Sequence, residues 1–358
     1  MFRFFRKIRR QLLTDNKFSK YLLYVIVEIF IVIIGILIAI QLNNCNEERI
    51  GAENTKLLFQ EVSDELVQNI KNIDRKLDIY ILKDSLYFKV LIKRVEYEDY
   101  KESPSLFNFA LTTDGWGIVD PLTYEWTSLV DDDFKELLAR KDNLTEPQDS
   151  IFSELKDLYG KRKIDIDIND KTIYDTHLNF RDKLINELPW WSDYVTNSFV
   201  TDEMIQYALD DPFYLNQLSE LRFREFSHAT GMLWFRTKAL NLHKNIADML
   251  NIEKDTTLVK DIADFEHVKG MYEWSGARFD IRGKNELKSS FWSNDSLVVQ
   301  EADIYPYYNS HLIIHTKEKG ETWLAKIEFG KDGEVLGLTW FGFMEEEDEN
   351  KIISKKIE

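Results

Sequence analysis

Three rhythms of apolar and polar positions follow one another along this 358-residue chain. The first is an unbroken apolar run. Tyr21 to Leu42 reads YLLYVIVEIFIVIIGILIAIQL, with Glu28 as its single charge. As a helix this run reaches about 33 Å, against about 30 Å of bilayer hydrocarbon. A buried core helix would be shorter and less apolar. A cleaved signal peptide would carry a shorter run and an A-x-A-like site, and no pair of small residues sits two apart after Leu42. Leu42, Asn43 and Asn44 before Cys45 do not fit a lipoprotein signal. The pattern predicts an uncleaved signal anchor with a transmembrane helix over 21–43.

The second rhythm is helical. Leu58, Val62, Leu66, Ile70, Ile73, Leu77 and Ile81 recur in steps of three and four. With no proline in 47–103, one helix from about Ala52 to Tyr97 is expected. Pro104, Gly115 and Gly117 mark 101–120 as a connection, and helices follow over 122–140 and 147–159. Lys163 to Ile168 reads K-I-D-I-D-I, a strand-like period or an extended linker. Helical spacing resumes over 171–188 and breaks at Pro189-Trp190-Trp191. Asp210-Asp211-Pro212 has the form of a helix start, and a long helix is expected over 213–250. Two long helices joined by shorter ones suggest an antiparallel bundle. Phe226, Trp234 and Phe235 are expected in its core, with Gly231 at a kink or close crossing.

The third rhythm starts after Asp261. Strands are expected over Met271–Ser275, Arg278–Arg282, Leu287–Trp292, Leu297–Glu301, His311–Thr316, Thr322–Phe329 and Val335–Trp340. Turn signals separate them, including Asp332-Gly333 between two apolar runs. The fold class is therefore α+β: a transmembrane helix, a helical bundle, then a small antiparallel β barrel or sandwich. The expected divisions are 1–20, 21–43, a helical domain at 44–262, a β module at 263–343 and an acidic tail at 344–358.

Charge adds orientation. The formal net charge is −17, but it is unevenly placed. Residues 1–20 hold seven Lys and Arg against Asp15 alone, 21–43 hold only Glu28, and all the excess acid lies beyond. By the positive-inside rule the N-terminus is cytoplasmic and about 315 residues lie outside, in the periplasm of a diderm cell. Arg3, Arg6, Lys7, Arg9 and Arg10 interleave with Phe2, Phe4, Phe5 and Ile8, as in an amphipathic segment lying on anionic lipid. The acidic body argues against nucleic acid as a partner. A carboxylate inside the span is costly unless it faces protein or water. Glu28, Gly35 and Ala39 share one helix face, with Gly35-x-x-x-Ala39 a small-xxx-small pattern. This predicts self-association or a partner span; the alternative is a protonated glutamate with no partner.

The pieces Asn16-Lys17-Phe18-Ser19-Lys20-Tyr21, Glu28, Ile34–Ala39 and Gln41-Leu42-Asn43-Asn44 resemble the opening of a bacterial family of single-span membrane proteins of the Bacteroidota type, a domain of unknown function. The resemblance is strong over about residues 1–50 and looser to about 250. Cys45 stands where that family has tryptophan, so it is not expected to be a shared functional residue. The resemblance implies an envelope location and no activity. Gly270-Met271-Tyr272, Trp323–Phe329 and Asp332–Leu338 resemble the lipocalin-like β module at the C-terminus of some bacterial serine hydrolases. That implies a fold, with no hydrolase domain ahead of it.

G-x-S-x-G, Walker A, G-x-G-x-x-G and H-E-x-x-H motifs are all missing. One cysteine excludes an intramolecular disulfide and a multi-cysteine zinc site. Asp165-x-Asp167-x-Asn169 opens like a calcium loop, but Asp170 and Thr176 occupy the places of the required glycine and glutamate. His311 and His315 share a strand face near Glu301 and Asp303; ordinary strand residues are the plainer reading than a metal site. Asp131–Asp133 and Glu345–Glu349 read as solvated charge. No catalytic residue, cofactor or metal is assigned. The expected role is non-enzymatic binding or scaffolding in the envelope; the alternatives are an envelope-acting enzyme or a sensor coupled through a partner span.

Overall fold

The computed structural model describes residues 17–93, 95–102, 124–140, 144–197, 200–258, 265–274, 277–283, 286–293, 296–307, 311–316, 322–340 and 354–357. The chain divides into two units, Met1–Leu58 and Phe59–Glu358. Helix α1 (Lys17–Leu91) supplies residues to both. In the first unit its apolar run is bare: Leu22 and every large apolar residue from Val25 to Leu42 are exposed. A helix that is apolar all round and uncovered by protein is suited to lipid rather than water. It is long and apolar enough to cross a membrane.

The second unit holds a bundle and a barrel. After α1 come α2 (Tyr97–Glu102), α3 (Asp132–Ala139), α4 (Glu146–Asp157), a π-helical turn (Leu158–Lys163), α5 (Ile164–Glu187), α6 (Trp191–Asn197), α7 (Asp202–Asp210) and α8 (Pro212–Leu250). Helix α8 starts as its sequence suggests. Pro212 sits in its first turn and the Asp211 carboxylate accepts from the Tyr214 amide at 3.0 Å. It ends at Asn251, which adopts the left-handed conformation common at helix ends.

Helices α1 and α8 run antiparallel. Ser63 meets His243, Asp74 meets Arg236, Tyr80 meets His228, Lys83 meets Glu225 and Asp84 meets Arg222, so one number rises as the other falls. Each helix buries a strict three-four repeat. On α1 it runs through Phe59, Val62, Leu66, Asn69, Ile73, Lys76, Tyr80, Lys83, Tyr87 and Val90; on α8 it passes through Leu218, Leu221, Glu225, His228, Met232 and Phe235. Helix α5 does the same with Ile166, Asp170, Ile173, His177, Phe180 and Leu184. These are heptad seams, interrupted by polar residues at regular points.

Two stretches depart from the sequence expectation. Tyr124 to Asp131 is not helical; the helix begins only at Asp132. Its backbone is claimed by side chains instead. Asn69 both donates to the Val130 carbonyl and accepts from the Val130 amide at 2.8 Å, and Asn72 donates to the Ser128 carbonyl. Lys163 to Ile168 is neither strand nor linker but continues the π turn into α5. Its aspartates serve helical pairs such as Lys163–Asp167 at 2.8 Å, and of the three isoleucines only Ile166 is buried. Phe235 is buried as expected, whereas Trp234 and Phe226 are half-buried.

The β module is a barrel rather than a sandwich. Strands β1 (Gly270–Trp274), β2 (Ala277–Gly283), β3 (Glu286–Ser293), β4 (Ser296–Tyr307), β5 (His311–Thr316), β6 (Thr322–Phe329) and β7 (Val335–Trp340) form an antiparallel meander that curls into a half-barrel. A three-residue strand, β8 (Ser354–Lys356), bridges β7 and β1 and closes it. This strand comes from the segment expected to be an acidic tail. Gly333, at φ +79°, makes the β6–β7 turn that Asp332-Gly333 announced. Tyr272, Ile281, Ile304, Leu312, Ile314, Ile327 and Leu338 fill the barrel.

Arg236 ties bundle and barrel together. Its guanidinium pairs with Asp74 at 2.5 and 3.1 Å, donates to the Leu258 carbonyl at 3.0 Å and lies 4.9 Å from the Tyr307 ring centroid on β4. Arg236→Ala is expected to lower stability by about 2 kcal/mol, through loss of charge-assisted hydrogen bonds to the part-exposed Asp74 and to the Leu258 carbonyl. Arg236→Lys should recover only part of it, because one ammonium cannot serve all three groups. Urea unfolding of both variants checks this; a lysine variant as stable as the wild type would refute the three-way joint.

A buried polar layer as candidate functional site

The polar interruptions of the three heptad seams meet. Helix α1 supplies Lys76, Tyr80, Lys83 and Asp84, α5 supplies Asp170 and His177, and α8 supplies Arg222, Glu225 and His228. Among the described residues three cations face three carboxylates here. Lys83 Nζ lies 3.3 Å from Glu225 Oε1, and Arg222 Nε lies 2.8 Å from Asp84 Oδ1. Asp170 accepts from the Thr127 amide at 3.1 Å, from the Thr127 hydroxyl at 3.0 Å and from the Tyr124 hydroxyl. Lys76 donates to the Glu125 carbonyl and lies 3.9 Å from the Tyr124 ring centroid. The non-helical stretch from Tyr124 therefore seals the layer with backbone and aromatic groups.

Two imidazoles sit at its centre. His228 Nδ1 pairs with the Tyr80 hydroxyl at 2.9 Å, and its Nε2 lies 3.7 Å from Asp170 Oδ1. His177 Nε2 lies 3.7 Å from Glu225 Oε1. Both distances exceed a hydrogen bond. Neither ring nitrogen of His177, nor Nε2 of His228, has a hydrogen-bond partner among the described residues.

Burial and charge set the protonation states. Burial, with Lys83 adding to it, brings the Lys76 ammonium down to about 8 against the pull of Asp170 and Glu225. Burial pushes the His228 imidazole down to about 4; Asp170 opposes this and Lys76 adds to it. Burial alone would raise the Glu225 carboxyl, but Lys83, His177 and Lys76 outweigh it and hold it below its ordinary value. Burial raises Asp84, with Arg222 opposing. The layer thus holds an ammonium that gives up its proton more readily than an exposed lysine does.

The residues singled out from sequence lie elsewhere. Glu28, Gly35 and Ala39 share one exposed face of α1 in the first unit, and nothing lies within 4 Å of a side chain built at Gly35. Arg3, Arg6, Lys7, Arg9 and Arg10 fall outside the described residues, as does Glu345–Glu349. Cys45 is exposed. Asp165, Asp167 and Asn169 lie on a helix, where Asn169 donates to the Asp165 carbonyl at 2.9 Å, so they do not form a loop around an ion. His315 Nδ1 lies 2.9 Å from the Thr322 hydroxyl, and Asp303 stands opposite it on β4. Among the described residues no group of three or more His, Cys, Asp and Glu is arranged to hold a metal ion. No member of the polar layer carries a motif of its own, so the layer is not visible residue by residue. Asn69, Lys76 and Lys83, spaced by seven within an apolar stripe, were the available signal.

No protein-family model, curated protein or solved structure matches the chain. The fold and the layer define an α+β protein with one bare apolar helix, a bundle organised around buried charge and a filled β barrel.

His228 makes acid sensitivity specific. Its folded-state value lies below its unfolded one, so the unfolded chain binds more protons between about pH 6.5 and 4 and stability falls as pH drops through that window. The contribution is about 3 kcal/mol at most. His228→Gln should flatten the loss between pH 7 and 4.5 in urea unfolding; an unchanged pH slope would show that the imidazole does not titrate as described.

Proposed function

We propose that the chain is a single-span membrane-anchored protein with its N-terminus in the cytoplasm and its folded body outside, serving in the envelope as a binding or scaffold module without enzymatic activity. The observation that carries this reading is the bare apolar run of α1, every large side chain of which from Val25 to Leu42 is exposed. Exposed apolar surface on this scale is stable only against lipid or a partner. The basic residues before the span and Glu47 and Glu48 after it support the orientation. So does the resemblance of residues 1–50 to single-span envelope proteins. The filled barrel and the enclosed polar layer support scaffolding over turnover, because the described acids and histidines converge in a closed interior rather than an open cleft. In the bilayer, Glu28, Gly35 and Ala39 form the contact face for a second copy or another span.

Cys45 gives a direct test, being the one cysteine of the chain and exposed. In intact spheroplasts a membrane-impermeant maleimide should label Cys45 from outside, while a tag at the N-terminus resists protease until the membrane is opened. The opposite pattern, or release of the protein by alkaline carbonate, would contradict the topology.

A further inference from the structure

Trp234 lines two clefts in the helical body. One, of about 300 Å³, is lined by Arg162, Asp165, Ile168, Asn169, Gly231 and Trp234 among others. The other, of about 220 Å³, is lined by Trp234 together with Glu154, Asp157 and Lys238. Both open where the π turn Leu158–Lys163 shifts the helical phase between α4 and α5. The larger lies at the lower end of the size range of small-molecule sites.

Its chemistry is specific. The Arg162 guanidinium lies 4.1 Å from the Trp234 ring centroid. Its Nε is buried and has no hydrogen-bond acceptor among the described residues, and Asp165 stands 3.9 Å from Nη1, beyond hydrogen-bond range. A permanently charged group whose side chain is 38% exposed thus lines the cleft. Asp165 and Asn169 add a carboxylate and an amide, while Ile168 is 59% exposed. Gly231, one turn before Trp234, leaves open space at the position of a Cβ.

We propose that this cleft binds a pyranose bearing a carboxylate, a sugar-acid residue. A pyranose has an apolar C–H face that suits Trp234 and Ile168, and a hydroxyl edge that suits Asp165 and Asn169. Its carboxylate supplies an acceptor for the exposed part of the Arg162 guanidinium. A polyphosphate would require more cations than one arginine in a chain of net charge −17. An apolar peptide side chain would leave the polar rim unpaired. The inference deepens the binding role above by naming a ligand class. Its test uses purified full-length protein and is independent of membrane topology.

The test is saturation-transfer NMR and calorimetry in a detergent without sugar headgroups, with glucuronate, glucose and acetate as probes. Glucuronate should bind saturably in the millimolar range and more tightly than glucose or acetate. Arg162→Gln should weaken glucuronate by about tenfold, the size of one charge-assisted contact, with little effect on glucose. Trp234→Ala should remove both. Gly231→Leu starts from a Cβ that meets nothing within 4 Å, obstructs the cleft and favours the helix, so it should abolish binding while the melting temperature holds or rises. Acetate or glucose binding as well as glucuronate, wild-type affinity in folded Gly231→Leu, or no saturable binding would each overturn the proposal.

Discussion

The body of this protein depends on charge compensation in the interior of a three-helix seam. Helices α1, α5 and α8 bury heptad repeats, and an apolar repeat alone specifies register weakly, because one leucine layer is much like the next. Lys83 and Glu225 are not interchangeable in that way. Sliding α8 by one heptad would leave Lys83 without its carboxylate in a site only 5% exposed. An uncompensated buried charge costs several kcal/mol, so the sliding states are disfavoured more by what they leave unpaired than the native state is favoured by its pairs. Polar residues at seam positions have this role in coiled coils.

The remaining architecture follows from that register. Fixing α1 against α8 places Asn69 and Asn72 where they can hold the non-helical stretch that caps the polar layer. It also places Asp74 opposite Arg236, which reaches the Leu258 carbonyl and Tyr307 and so joins barrel to bundle. The barrel is closed by a short strand recruited from beyond an acidic segment, and the Trp340 indole donates to Ser354 at 2.7 Å at that closure. Ile313 and Leu324 pair across β5 and β6 and are buried, though they stand on the opposite strand face from the filled interior. They mark outer barrel surface covered by the helical body.

Much of this was legible in the sequence, and the exceptions have physical causes. The apolar run, the start and end of α8 and seven of the eight strands could be read directly, because each rests on local pattern and turn chemistry. Strand β8 could not, since three residues after an acidic run carry no strand signal of their own and gain it only from two neighbouring edges. The stretch from Tyr124 has helical-looking composition, yet Asn69 and Asp170, far away in sequence, satisfy its backbone outside a helix. K-I-D-I-D-I alternates like a strand, but its helical salt bridges and the seam residues Ile166 and Asp170 decide otherwise. The polar layer was hidden for the same reason: it is a property of three helices together.

A double-mutant cycle on Lys83 and Glu225 tests the central claim most directly. Unfolding free energies are needed for Lys83→Leu, Glu225→Leu and the double variant. The account predicts that each single change costs about 3–5 kcal/mol by stranding its partner, and that the double variant returns to wild-type stability or above. A double variant whose loss equals the sum of the singles would show that the two charges do not compensate each other, and that the register is set by the apolar seam alone.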